Sequence, residues 1–178
     1  MIPERKSIHL RPEEINNRSV PGHWETDSMI CKKQREILSV HHERKIKLTR
    51  IYKLPNKTAS ETKDAHIKTI KSMQHGAVKS FTYDNGTEGA LHTIIRNDWN
   101  VDTYFCDTYS SWQKGGVEHT NGMIRYYIPK DADLSKLTDQ DIYEIQEKLN
   151  NRPRESLSWR TPNELAKELN WISGALKT

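Results

Sequence analysis

The chain has 178 residues and a mass of 20.8 kDa, is 34% hydrophobic and 29% charged, and carries a net charge of +4 with a mean hydropathy of −0.90. This is the size of one ordinary domain. No run approaches the roughly 18 apolar residues of a membrane span, and no apolar stretch follows the N-terminal charges, so neither a membrane partner nor a secretory signal is expected. Two widely spaced cysteines, Cys31 and Cys106, argue against a disulfide framework or a zinc ribbon and for a reducing, cytoplasmic setting.

The charge is unevenly distributed. Residues 44–79 hold ten basic and two acidic side chains, a balance of +8, whereas residues 80–129 hold a balance of −3. A concentrated positive field of this kind suits a phosphate backbone, and Lys57, Lys63, Lys68 and Lys71 within it are candidate DNA contacts.

In chain order, residues 1–21 contain Pro3, Pro12 and Pro21 without periodicity and read as an extended arm or linker remnant outside the core. Residues 22–178 read as the folded domain. Strands are expected over 23–30, 36–42 and 46–54, with a short hairpin link at Glu43-Arg44-Lys45; short connections favour an antiparallel meander. In the first strand, Trp24, Thr26 and Ser28 fall on one side and Glu25, Asp27 and Met29 on the other. Thr58 and Glu61 form a capping-box pattern that opens a helix to about Gln74, with Ala65, Ile67, Ile70 and Met73 as its apolar stripe. A strand over 77–83, a helix over 88–97, a strand over 101–105 and a helix from Trp112 to Tyr127 follow. Two more helices cover 138–151 and 161–170, the last with Thr161 as cap and Pro162 at its first position. This order predicts an α/β fold, a mixed sheet of three antiparallel strands and then strand–helix alternation, flanked by helices, as in the ribonuclease H-like fold.

Three acids stand out: Asp27 inside the first strand, Asp84 at the end of the fourth and Glu118 in the third long helix. A carboxylate inside a strand must be solvated, paired or bound to a cation. Brought together, three such groups supply the hard oxygen ligands that a two-metal phosphodiester site requires. Asn121 and Arg125 follow Glu118 at i+3 and i+7 and share its helix face, where they suit DNA contact. Arg152 and Arg154 are further candidate phosphate contacts, and Glu88, His92, Trp112 and Gln113 are possible accessory groups. His41-His42 lacks a third zinc ligand at a sensible spacing.

The strings GHWETD (22–27), TYDNG (82–86), YFCDTYSSWQKGGVEHTNGMIR (104–125) and LNNRPRESLSWRTPNEL (149–165) strongly resemble the catalytic domain of the IS-thirty family of insertion-sequence transposases. That family lies in the DDE transposase and retroviral integrase superfamily. The resemblance implies Asp27, Asp84 and Glu118 as catalytic metal ligands and Mg²⁺ or Mn²⁺ as cofactor. It also implies double-stranded DNA as substrate, cut at the element's ends and joined through its 3′-OH to target DNA, by a bacterial, nucleoid-associated homo-oligomer. Thr26, Gly89 and His119 depart from the family's usual residues. Gly89 is expected to remove an apolar anchor and to weaken its helix. Full-length relatives carry an N-terminal helix-turn-helix region, and its absence here implies little sequence specificity. It also leaves open a truncated, non-catalytic DNA-binding or assembly module. A general ribonuclease H-like nuclease fits the acids but not the flanking strings.

Overall fold

The computed structural model describes residues 2–31 and 35–172. The outer limits of the two sequence segments, at Met1 and Thr178, lie outside the described residues.

Strands β1 (His23–Ile30), β2 (Ile37–Glu43), β3 (Thr49–Leu54), β4 (Ser80–Tyr83) and β5 (Asp102–Phe105) form one sheet in the order β3-β2-β1-β4-β5. β2 runs antiparallel to β1 and β3, while β4 is parallel to β1 and β5. The mixed sheet expected from the element order is therefore present. Helices α2 (Ala59–Lys71), α3 (His92–Trp99) and α6 (Pro162–Glu168) supply one apolar layer, built on Trp24, Phe81, Ile95, Phe105 and Ala166. Helices α4 (Gly115–Tyr127) and α5 (Asp139–Asn150) cover the other face through Leu38, Val40, Val117, Ile124, Ile142 and Leu149. The period-2 alternation of β1 assigns its faces: Trp24 enters the first layer and Met29 the second.

Both sheet edges are closed by polar means. On β3, the Thr49 N–H donates to Asn150 Oδ1 at 2.8 Å, Asn150 Nδ2 donates to the Thr49 carbonyl at 2.9 Å, and the Ile51 N–H donates to Gln146 Oε1 at 2.9 Å. Two α5 amides thus occupy the place of a missing strand. On β5, the Phe105 N–H donates to the Lys6 carbonyl at 2.9 Å and Ser7 forms a parallel bridge to Phe105.

The N-terminal segment is more than an extended arm. It forms a 3₁₀ turn over Ile8–Leu10 and a short helix, α1 (Glu13–Asn16), and it buries Ile8 and Ile15. The carbonyls of Ile15 and Asn16 accept from the Arg44 guanidinium at 3.3 and 3.4 Å. This docking has no periodicity for a sequence reading to detect.

The strand expected over 77–83 is confined to Ser80–Tyr83 and the last helix to Pro162–Glu168, and other element boundaries differ from expectation for local reasons. β3 starts at Thr49 because the Glu43 carboxylate accepts from the N–H groups of Lys45 and Ile46 while Lys47 adopts φ +63°. Residues 44–48 are thereby held as a compact connection. The helix expected over 88–97 divides into a 3₁₀ turn, Thr87–Gly89, and α3. Gly89 weakens no helix; a Cβ there would stand 3.0 Å from the Phe105 ring, so the missing side chain is what lets the turn pack. The helix expected from Trp112 begins as a 3₁₀ turn over Ser111–Lys114 and becomes α-helical at Gly115.

Candidate active site

β1 and β4 are parallel neighbours, which brings Asp27 and Asp84 to the same end of the sheet. Their carboxylates meet around one side chain that the sequence reading did not select. The Lys114 ammonium lies 3.2 Å from Asp27 Oδ1 and 3.6 Å from Asp84 Oδ2, and it donates to the Thr26 carbonyl at 2.8 Å. Its side chain is only 5% exposed. Burial alone would depress its pKa, but the two aspartates outweigh that and the net shift is upward, so the group stays an ammonium. Asn121 Nδ2 donates to the other Asp27 oxygen, Oδ2, at 2.7 Å, while Asn121 Oδ1 is buried without a partner.

Glu118 does not join them. It lies four residues after Lys114 and three before Asn121 on α4, hence on the flank of the helix nearest Asp27. Its side chain is exposed, with no hydrogen bond or ion pair among the described residues. No group of three His, Cys, Asp or Glu side chains among the described residues is arranged to hold a metal ion. The expected meeting of three acids is thus a meeting of two. The physical reason is that a third carboxylate would add to the net negative charge that one Lys114 ammonium leaves on the two aspartates, while an unpaired glutamate is better solvated.

The elements are placed by a buried ion pair. Glu25, two residues before Asp27 and on the same strand face, is fully buried and paired with Arg44. Its Oε2 accepts from the Val117 N–H at 2.9 Å, in the first turn of α4. A carboxylate there complements the partial positive charge of the helix N-terminus and holds the helix that carries Glu118 and Asn121 and that Lys114 immediately precedes. Gly116 permits the approach: a Cβ would stand 2.7 Å from His42 and 2.8 Å from Glu25 Oε2.

The other candidates separate by position. Glu88 is buried, paired with Lys57 at 2.8 Å, and it lines a small cavity shared with Asp27, Asp84 and Thr62. His92 is a tether for the N-terminal segment and not a site group; its ring nitrogens bond Thr103 Oγ1 at 2.8 Å and the Pro3 carbonyl at 2.7 Å. Gln113 braces the preceding loop through Asp107, and Trp112 is exposed. Arg125 is partly exposed and donates to the Ile30 carbonyl at 2.7 Å and to Cys31 Sγ at 3.3 Å, closing the end of β1. Arg154 turns inward to the Leu149 carbonyl at 3.0 Å, whereas Arg152 is exposed. Lys63 pairs with Asp64 at 3.1 Å. Lys68 and Lys71 border a groove of about 1020 Å³ between α2, β3, α5 and α6 that Arg50 and Lys167 also line. The +8 block therefore divides: the start of α2 faces the carboxylates, and its end faces this groove. His41 and His42 are buried in side-chain hydrogen bonds to Thr69 and Thr120.

Missed by sequence reading were Lys114, Glu25 and Arg44. The signals for the first two were a lysine one helical turn before Glu118 and a glutamate on the strand face of Asp27. Arg44 offered none, because a charged hairpin residue gives no indication of burial.

A donor set of two carboxylates and a backbone carbonyl is the hard-oxygen chemistry that Mg²⁺ and Mn²⁺ prefer. The ammonium among them is a stand-in cation, so the residues present fit a divalent ion.

No protein-family model matches the chain. It is 37% identical over 161 residues to the transposase for insertion sequence element IS1086 of Cupriavidus metallidurans, covering 90% of this chain and 48% of that one. It is 36% identical over 168 residues to the transposase for IS4351 of Bacteroides fragilis, covering 94% and 51%. Against the transposase InsI for IS30A of Escherichia coli the identity is 37% over 158 residues, covering 89% and 41%. The chain spans about half the length of the curated relatives it matches. Among solved structures it resembles the catalytic core domain of BIV integrase, with TM-score 0.63 and 19% identity over 83% of this chain and 95% of that one. It also resembles the HTLV-2 integrase catalytic core domain in complex with magnesium, with TM-score 0.64 and 21% identity over 83% and 97%. The sheet and its helices are consistent with the ribonuclease H-like fold.

Proposed function

From the premise that the chain is homologous to IS-thirty-family DDE transposases and carries the integrase catalytic-core fold, we propose that it is the metal-dependent polynucleotidyl-transfer domain of such an enzyme. Its substrate in this reading is double-stranded DNA, and Mg²⁺ or Mn²⁺ is its cofactor. The observation that carries the reading is the cation-binding geometry of Asp27 Oδ1, Asp84 Oδ2 and the Thr26 carbonyl around a buried ammonium.

In this reading Asp27 and Asp84 hold the ion, and Glu118 turns in from the adjacent helix to complete the ligand set. When bound, divalent ions would supply Lewis-acid activation of the attacking oxygen and charge stabilisation at the departing one. Asn121 fixes the orientation of Asp27 through its 2.7 Å bond. The Glu25–Arg44 pair fixes the helix from which Glu118 reaches. Glu88, anchored by Lys57 beside the aspartates, tunes the site from one side. Self-association and binding of paired DNA ends belong to the same reading, supported by the family alone.

The test is incubation with end-sequence and unrelated duplexes plus Mg²⁺ or Mn²⁺, comparing wild type with Asp84→Asn. Metal-dependent cleavage or joining by wild type, lost in the variant, is expected. Identical products from both, or none from either, would contradict the proposal. A second reading, a non-catalytic DNA-binding or assembly module, is favoured by the outward Glu118. It requires duplex binding without cleavage and without any effect of Asp84→Asn.

A further inference from the structure

Lys114 occupies a position that a substrate contact or a surface lysine does not need. Its Nζ has three oxygen neighbours and its side chain is 5% exposed. Two of those oxygens belong to the carboxylates proposed to hold the divalent ion. An ammonium and a divalent cation cannot share them: both are positive, and both need the same lone pairs at close range. Removing the lysine without replacement would leave two aspartates facing each other uncompensated.

The backbone around Lys114 suits a side chain with two positions. The residue ends a 3₁₀ turn and is followed by Gly115, where an added Cβ would meet nothing within 4 Å, so the turn is not packed against a neighbour there. At Gly116, by contrast, a Cβ would press on Glu25 and His42, so α4 is closely packed there while the backbone between it and Lys114 has open space beside it.

We infer that Lys114 is the resident cation of the Asp27–Asp84 pair in the metal-free protein, and that a divalent ion enters by expelling it. The inference rests on the reading of those carboxylates as a divalent-ion site. Lys114 is then a positioning residue: it keeps the carboxylates aligned until the ion arrives and competes with the ion throughout. The ammonium leaves protonated, so the exchange swaps one cation for another, with no proton transfer. Selectivity follows, since a monovalent cation gains too little from two carboxylates to dislodge a buried ammonium, whereas a divalent ion gains roughly twice the Coulombic attraction.

The experiment is a Mn²⁺ titration followed by electron paramagnetic resonance, with wild type, Lys114→Met, Lys114→Arg and Asp84→Asn. Alongside it, ¹⁵N-detected lysine spectra of wild type are recorded with and without Mg²⁺. Lys114→Met is expected to bind Mn²⁺ roughly tenfold tighter or better, as loss of one competing charge in a buried site implies. It is also expected to melt lower without metal and to regain more on adding it. Lys114→Arg is expected to stay at or below wild-type affinity. In wild type a protected Lys114 ammonium signal is expected to vanish at saturating Mg²⁺. Equal or weaker Mn²⁺ binding by folded Lys114→Met, or an unchanged lysine signal at saturation, would overturn the inference and leave the carboxylate site standing. No saturable, Asp84-dependent binding by any variant would overturn both. The lysine spectrum needs no substitution, so it decides the matter even where Lys114→Met does not fold.

Discussion

Asn121 reaches from α4 to β1 and donates its amide to Asp27 Oδ2 at 2.7 Å, leaving its own oxygen buried and unpartnered. Sequence reasoning makes Asn121 a DNA contact, because it shares a helix face with Glu118. In the structure its amide braces the Asp27 carboxylate, one of the two proposed to hold the divalent ion.

A first prediction follows from that bond. Asn121→Ala is expected to lower stability by about 1.5–3 kcal/mol, the range for a hydrogen bond to a charged group, and to weaken Mn²⁺ binding. Asn121→Asp sets a second carboxylate against Asp27 and is expected to lower the melting temperature further without metal while gaining more than wild type on adding Mg²⁺. Calorimetric melts with and without Mg²⁺ check both; equal metal-induced shifts in wild type and Asn121→Asp would contradict the coupling.

The buried pair behind the site gives a second. Glu25→Ala leaves Arg44 charged and enclosed, and is expected to destabilise the fold by about 3–5 kcal/mol. Gly116→Ala forces a methyl group toward Glu25 and His42 and is expected to lose about 1–3 kcal/mol through overpacking. Urea unfolding measures both. Losses under 1 kcal/mol would mean that the Glu25 carboxylate does not hold α4.

Why the first of these was half legible, and the second not, is a matter of which forces leave a period in the chain. Asp27 and Asp84 were readable because strand alternation and a turn fix where each side chain points. The mixed sheet was readable because β1 alternates between the two layers and the helices α2 and α6 open on the caps Thr58 and Thr161. The apolar stripe of α2 is Ala65, Ile67, Ile70 and Met73 in the sequence, yet Thr62, His66 and Thr69 are buried there too: Thr69 Oγ1 bonds His41 and Tyr52, and the His66 ring packs against His41 and Phe81, partners that only the fold supplies. Lys114 and Arg44 look like solvated charges until the fold encloses them. The N-terminal segment lacked any pattern, because Arg44 and the β5 edge hold it through its backbone carbonyls.

A third prediction concerns acid. Burial pushes His23 and His66 down to about 4, and holds His41 and His42 well below the ordinary histidine range. These rings are neutral in the folded protein, whereas the unfolded chain takes up protons near pH 6.5. Their contribution is therefore complete above about pH 6.5 and is lost as pH falls from there toward about 4. Each fully buried ring adds up to about 1.4 kcal/mol per pH unit to the slope. Unfolding free energy measured from pH 7.5 to 4.5 is expected to fall steeply, and less steeply in His66→Gln. An unchanged slope in that variant would show that His66 does not titrate between the two states.

A fourth concerns the divided basic block. Arg50 has a buried Nε without a partner, and Lys68, Lys71 and Lys167 have no carboxylate partner among the described residues. Lys63, paired with Asp64, is already neutralised. If the groove carries DNA phosphate, Lys68→Gln with Lys71→Gln reduces the slope of log affinity against log salt by about 0.9 per lost contact. Lys63→Gln is expected to leave that slope nearly unchanged. Duplex binding in chelator across a salt series measures it, and an equal effect from all three sites would return the block to a diffuse field.

In the proposed reading Asp27 and Asp84 grip a divalent ion with Glu118 brought in beside them. Anomalous diffraction from crystals grown with Mn²⁺ reads this directly. The expected result is a manganese peak bonded to both aspartates, with Glu118 turned toward it and the Lys114 ammonium displaced. A map in which Lys114 still bridges the two carboxylates, and manganese lies elsewhere or nowhere, would contradict it.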